Sequence, residues 1–377
     1  MEFANQNIEK ALGYLQQGKE GKAQKILMKI LKKEPGNPHA LHFLGICHFM
    51  KGRTKSAIYW LGKATKADPD NPDIHNRLGL ALQDSGQSDH ALMAYNRALK
   101  LNPKFFEAFN NKGNLLSVAG RLGEARDQYH LALDQNPEYV DAHLNLGTTL
   151  IKDGRPSEAK ETFRAALKLA PDHAGPWADM GSAHKDLGEN LEARSCFEKA
   201  LELDPGDLGT WFNLHGIIYD DDPEAACQCL ERTLEINPKD SKIRFFLGVA
   251  RARQGYEEEA QGHFDLLPAK DDTVAYRLDS WRYITQAGGP DSKLIGTSAE
   301  VLKMAMAAAT SPGLVLEFGV RYGSSIRLIA AEAKQPVHGF DTFLGLPEDW
   351  HDEEAGSYTT YGELPETPDN VSLHQGL

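Results

Sequence analysis

The chain has 377 residues, which at roughly 100–200 residues per domain allows two or three domains. Lys and Arg total 41 against 54 Asp and Glu, a net charge of −13, which disfavours non-specific binding to nucleic acid or a membrane surface, both polyanions. A hydrophobic content of 41% with 25% charge is ordinary globular composition, and the four cysteines, 47, 196, 227 and 229, lack CxxC or zinc spacing and read as reduced thiols in a cytoplasmic protein.

Met1-Glu-Phe-Ala-Asn-Gln-Asn has neither the basic flank nor the apolar run of a secretory signal. The longest apolar run, near Met304–Ala309, falls far short of the ~20 residues of a bilayer span.

A period then governs the chain. Prolines at 35, 69, 103, 137, 171 and 205 are 34 apart, and Pro238 follows after 33. Gly45, Gly79, Gly113, Gly147 and Gly181 keep the spacing, as do Gly18, Gly52, Gly86, Gly120, Gly154 and Gly188. Ala57 and Ala64 open two further series seven residues apart, and Tyr95, Tyr129, Phe163 and Phe197 form an aromatic one. Such a period is that of stacked helical hairpins. The first glycines allow two helices to approach closely. The second set supplies positive φ at the turn between them. The alanines share one face of the second helix, the aromatic is expected to fill the groove to the next hairpin, and proline ends the second helix.

This pattern resembles the tetratricopeptide repeat (TPR) over residues 1–272, about eight repeats of 34. The first repeat lacks its first-helix glycine, the seventh is one residue short near Tyr219–Pro223, and the eighth lacks the closing proline, as capping repeats should differ. The resemblance implies an all-α superhelical solenoid that binds a protein or peptide partner on its concave face. Arg77, Asn111, Asn145, Asp179 and Asn213, 34 apart and two before the first-helix glycine position, would line that face. An amide offers a donor and an acceptor at each step, so the column resembles the asparagine ladder of the O-GlcNAc transferase repeats. Solvated polar residues frequent at this position remain the other reading. His39 and His42, three apart on a helix, have metal-sharing spacing but no third ligand in phase, so no metal is assigned.

The register stops near Asp272. Residues 273–312 read as connecting helices, Thr273–Ala287 and Ser298–Ala309, broken by Gly288-Gly-Pro290. From 313 to 377 the pattern becomes strand, helix, strand. Leu314–Phe318 ends on Gly319, Ser324–Lys334 is helical, Pro336–Phe340 runs into Asp341, a loop follows from Leu344 to Asn370, and Val371–His374 starts a third strand. That order implies a parallel, doubly wound sheet with its chemistry at the strand ends. The turn after the first strand, Glu317-Phe-Gly319-Val-Arg-Tyr-Gly323-Ser-Ser325, has Arg321 and Ser324 where a pyrophosphate cradle starting at Gly319 needs its second and third glycines. Asp341 is placed to accept two hydrogen bonds from a ribose diol.

VLEFGVRYGSSIRLIA, followed by VHGFDTFLGLPEDW and NVSLHQG, is similar to the class I S-adenosylmethionine-dependent methyltransferases of the macrocin O-methyltransferase-like subgroup. The resemblance implies an incomplete Rossmann-like parallel sheet, S-adenosylmethionine as cofactor, and Glu317, Gly319, Gly323, Ser324 and Asp341 as its binding residues. It also implies methyl transfer to a small-molecule hydroxyl, such as a sugar's. Catalytic residues are unassigned: His351 and His374 are candidate bases by type alone, and Glu348–Glu354 is either a lid or solvated surface. The related fold has later strands with no counterpart before Leu377, so the chain is expected to be part of a longer TPR-fused methyltransferase and inactive by itself. The alternative is a non-catalytic TPR scaffold.

Overall fold

The computed structural model describes residues 2–268, 271–287, 298–309, 314–318, 320, 324–342, 360, 364–365 and 367–376. The chain divides into two units, Met1–Leu146 and Gly147–Leu377. The first holds the hairpins α1 (Glu2–Gln16) with α2 (Glu20–Lys33), α3 (Pro38–Met50) with α4 (Thr54–Ala67), α5 (Pro72–Asp84) with α6 (Ser88–Leu101), and α7 (Phe106–Val118) with α8 (Leu122–Gln135). The division falls inside α9 (Val140–Lys152). The second unit continues with α10 (Pro156–Leu169) and the hairpins α11 (Ala174–Asp186) with α12 (Asn190–Leu203), α13 (Leu208–Ile218) with α14 (Pro223–Ile236), and α15 (Ser241–Arg253) with α16 (Glu257–Asp265). After these come α17 (Asp272–Ala287), which packs on α15, and α18 (Ser298–Ala308).

Most of the hairpins close on a glycine. A Cβ on Gly79 would lie 2.5 Å from the Tyr95 ring, on Gly113 2.6 Å from Tyr129, on Gly181 2.6 Å from Phe197 and on Gly248 2.5 Å from Phe264. Gly147 meets Phe163 in the same way, and Leu61 takes the ring's place over Gly45. The aromatic therefore packs onto the glycine of its own hairpin, and Tyr95 and Phe197 also share core clusters with Leu115 and Leu214 of the next. Sixteen residues separate glycine and aromatic, which brings them level where the antiparallel helices cross. Tyr95, Tyr129, Phe163 and Phe197 are fully buried there, among alanines such as Ala91 and Ala98 with no exposed surface. The turn glycines 18, 52, 86, 120, 154, 188 and 255 all have φ between +64° and +85°, which only glycine adopts cheaply.

The prolines stand just past the second helices and carry a device absent from the sequence reading. The carbonyls of Pro69 and Pro137 accept from His75 and His143 Nε2 at 2.9 and 2.8 Å. Those of Pro171 and Pro205 accept from Trp177 and Trp211 Nε1 at 3.1 and 3.0 Å, and that of Pro238 from Arg244 at 2.8 Å. A donor six residues on thus ties each of these five loops to the next first helix. Its chemistry varies, so composition alone does not reveal it.

Beyond α18 lies a parallel sheet of β1 (Val315–Phe318), β2 (Val337–Asp341) and β3 (Val371–Gln375), with α19 (Ser324–Glu332) between β1 and β2. Glu317 pairs with Gly339 and Phe340 with His374. Ile326 and Ala330 of α19 pack on Val320 and Val337 to bury one face. Gly339 makes this possible, because a Cβ there would lie 2.5 Å from Ile326 Cδ1.

The glycine contact predicts opposite signs for two alanine substitutions. Gly113→Ala, which must displace Tyr129, should lower the urea midpoint by the equivalent of about 1–3 kcal/mol. Gly62→Ala in α4, with open space around it, should raise it by up to about 1 kcal/mol through helix propensity. Equal effects would contradict the close approach as the origin of the glycine series.

Candidate functional site

The first helices of successive hairpins touch one another: α3 meets α5, and α5 meets α7, in the first unit. Two amide pairs join them in one repeated geometry. Asn111 Nδ2 donates to Asn76 Oδ1 at 3.1 Å, and Asn145 Nδ2 donates to Asn110 Oδ1 at 2.9 Å. Asn76 and Asn110 are each 4% exposed, whereas Asn111 and Asn145 are only half-buried. The half-buried amide keeps its carbonyl oxygen and one N–H for another partner. Sequence reasoning singled out Asn111 and Asn145 but missed Asn76 and Asn110. Their signal was the same spacing, three residues before the glycine, but Leu144 ends the series after two members.

Arg77, in the same phase, is exposed. Its charge adds to burial in lowering the pKa of His42 to about 4, so that imidazole is neutral, with Nε2 buried and without a hydrogen bond. Among the described residues no three His, Cys, Asp or Glu side chains gather as a metal site. All four cysteines are buried free thiols.

In the second unit α11 and α13 touch. Asp179 is half-buried and accepts from Thr148 Oγ1 at 3.5 Å, while Asn213 Oδ1 accepts from Lys185 Nζ at 2.9 Å. Burial is the main cause that pushes the Asp179 carboxyl up to about 6, with Thr148 opposing and Asp207 adding to it. Elsewhere in this unit, Arg327 Nη2 of α19 donates to the Asp153 carbonyl at 2.8 Å and Lys303 Nζ of α18 to that of Gly188 at 3.2 Å. These are carbonyls at the ends of first helices, where the helix dipole favours cations. A cavity of about 430 Å³ opens beside them, lined by Ile151, Leu187, Asp186, Leu328 and Pro368 among others.

At the sheet, Glu317 lies in β1 and accepts through Oε1 from the Ser325 hydroxyl. Its Oε2 is buried without a partner, and burial raises the carboxyl pKa against the effect of Ser325. Asp341 ends β2, two residues beyond the partner of Glu317 and so on the same face. Ser324 opens α19, and Gly319 and Gly323 lie outside the described residues, as do His351 and the run 348–354. His374 points elsewhere. It pairs with Phe340, stacks on that ring, and its Nε2 lies 3.1 Å from His338 Nδ1. The alternation of strand side chains puts both histidines on the face opposite Glu317, so the sheet does not bring His374 to the cradle as a base. No described helix is long and apolar enough to cross a membrane.

Models of the tetratricopeptide repeat match residues 14–83, 118–180 and 150–216, with two further models on 72–105 and 94–127, a span without gap from 14 to 216. No curated protein matches the chain. Many solved structures are similar, three of them as follows. One, described for its functional characterization, is pilF of Pseudomonas aeruginosa, at 22% identity over 55% of this chain and 96% of that one, with TM-score 0.50. A repeat protein from Parabacteroides merdae shares 20% over 66% and 99%, with TM-score 0.52. A chain of the APC/C hetero-tetramer Cut9–Hcn1 shares 18% over 64% and 48%, with TM-score 0.55. At these identities the likeness is one of fold. The family-model matches end at residue 216 and do not reach 313–377.

The raised Asp179 pKa has a definite pH signature. A folded-state value of about 6 against the ordinary 3.8 means that the ionised carboxylate destabilises the fold progressively as pH rises through that window. Asp179→Asn should therefore raise the urea midpoint at pH 7.5, by the equivalent of at most about 3 kcal/mol. It should leave the midpoint unchanged at pH 3.5, and an equal shift at both pH values would contradict burial as the cause.

Proposed function

The chain belongs to the tetratricopeptide repeat family, whose models cover 14–216 of its 377 residues, and from that premise we propose that it is an interaction scaffold binding an extended peptide along its first helices. The observation that carries this reading is the pair of cross-hairpin amide contacts, Asn111 to Asn76 and Asn145 to Asn110. Each contact uses one donor of a half-buried asparagine to fix its rotamer. That leaves a pre-oriented carbonyl and N–H at the same place on successive hairpins. Such a row pairs with a peptide main chain, which offers donors and acceptors whatever its side chains, and little ordering entropy remains to be lost on binding. Side chains on the ligand would then decide specificity.

For a peptide selected from a displayed random library on the full chain, Asn111→Ala with Asn145→Ala should weaken binding about tenfold or more, at about 1 kcal/mol per neutral hydrogen bond. Asn76→Ala breaks the same cross-hairpin contact from its buried side and should weaken binding less. Unchanged affinity in the double variant would overturn the ladder.

A second reading concerns residues 313–377 as an S-adenosylmethionine cradle of a methyltransferase-like sheet. It is supported by the parallel order β1-β2-β3, by the partnerless Oε2 of Glu317 at the end of β1, and by Asp341 on the same face at the end of β2. The cofactor would supply an electrophilic methyl group for a hydroxyl acceptor. Asp341 would hold its ribose, and Glu317, steadied by Ser325, would orient its amino-acid end through the turn that carries Gly319, Gly323 and Ser324. Calorimetric titration with S-adenosylmethionine should give saturable binding that Asp341→Ala weakens tenfold or more. Absent binding, or binding indifferent to Asp341, would leave the scaffold reading alone.

A further inference from the structure

One step of the ladder phase carries a charge where its neighbours carry amides. Asp179 stands 34 residues after Asn145 and 68 after Asn111, two before Gly181. In the first unit the residue of this phase donates to an asparagine three before the preceding glycine. Leu144 occupies that place for Asp179, so no amide is provided. A carboxylate cannot donate in any case. The hydrogen bond it does accept, from Thr148 at 3.5 Å, is at the outer limit. Among the described residues Asp179 makes no ion pair. The lysine six residues on along α11, Lys185, is directed instead to Asn213 Oδ1 at 2.9 Å. Asp207, whose charge acts on it, is of the same sign.

A half-buried carboxylate without a cation is unfavourable in the free protein, and other acids of this unit are ion-paired. Lys160 meets Glu189 at 2.7 Å, and Arg251 gathers Glu224 and Glu231 at 2.6 and 2.8 Å. The side chain nevertheless keeps part of its surface in solvent, so an incoming group can reach it. What would satisfy it is a positive charge brought by the ligand. An amide ladder is indifferent to ligand side chains, whereas a carboxylate set in the same phase discriminates by charge.

We propose that the first-helix face of the hairpin α11–α12 receives a peptide segment bearing a lysine or arginine side chain, with Asp179 as its anchor. This rests on the peptide-scaffold reading above and adds ligand class to it. The anchored cation replaces water around a carboxylate that is already partly desolvated, so less desolvation opposes this ion pair than one formed from a fully exposed acid. The net charge of −13 favours approach of a basic segment in the same sense.

The test uses the full chain and a random nonapeptide library displayed on phage, selected in parallel on wild type and Asp179→Asn. Asp179→Asn keeps the volume and the Thr148 contact and is expected to fold at least as well as wild type. Wild type should enrich peptides sharing one Lys or Arg position, and the variant should lose that enrichment. A recovered peptide, measured by fluorescence anisotropy, should bind Asp179→Asn at least tenfold more weakly. Replacing its shared basic residue with norleucine should weaken binding to wild type at least tenfold and to the variant hardly at all. Peptides without a shared basic position overturn the inference and leave the scaffold reading standing. So do peptides whose basic residue matters equally to both proteins. Failure to select any peptide on either protein overturns both.

Discussion

Close approach of two helices at a side chain reduced to hydrogen is the constraint from which the repeat part of this molecule follows. Gly79, Gly113, Gly147, Gly181 and Gly248 each admit an aromatic ring from the second helix of the same hairpin, at separations that a Cβ would abolish. The ring is then sealed by alanines on its own helix, and the turn between the helices is fixed by a glycine at positive φ. Where the pair changes, it changes together. Gly45 faces Leu61. In the seventh hairpin the glycine position holds His215 and the aromatic position Leu230, so the ring has moved to the first helix. There it packs beside Phe212 and Phe246, with its pKa lowered by burial. Volume is conserved across the contact rather than residue by residue.

The same geometry that packs the hairpins sets out the face proposed to bind a peptide. With the glycine fixed on the core side of each first helix, the residues two and three before it fall toward the neighbouring first helix at every step. Polar residues placed there meet across hairpins, as Asn111 and Asn76 do. Packing and the proposed recognition thus share one period, and a substitution at Asn76 or Asn111 alters a partner 35 residues away.

The sheet beyond α18 obeys a different constraint. Its strands alternate, so Glu317 and Asp341 share the face that α19 covers, while His338, Phe340 and His374 stack on the other. Leu316, 45% exposed, adds to that second face. Arg327 and Lys303 tie this region to the repeats through main-chain carbonyls, a contact that asks nothing of the partner side chain and leaves no mark in its sequence.

The sequence by itself determined the hairpins, their glycine turns and the phase of Asn111, Asn145 and Asp179, because a repeat writes each local requirement at a fixed interval. It also set the strand–helix–strand order and the place of Asp341 at the end of the second strand, which follow from short apolar runs, the first of them ended by Gly319. Only the tertiary structure decided what those side chains meet. It paired Asn145 with Asn110, placed the Tyr129 ring on Gly113 of its own hairpin, turned His374 away from Glu317, and left Asp179 without a cation. Each of these outcomes depends on a distance between residues far apart in the chain. Such distances are set by the summed volumes of buried side chains, and no local pattern records that sum.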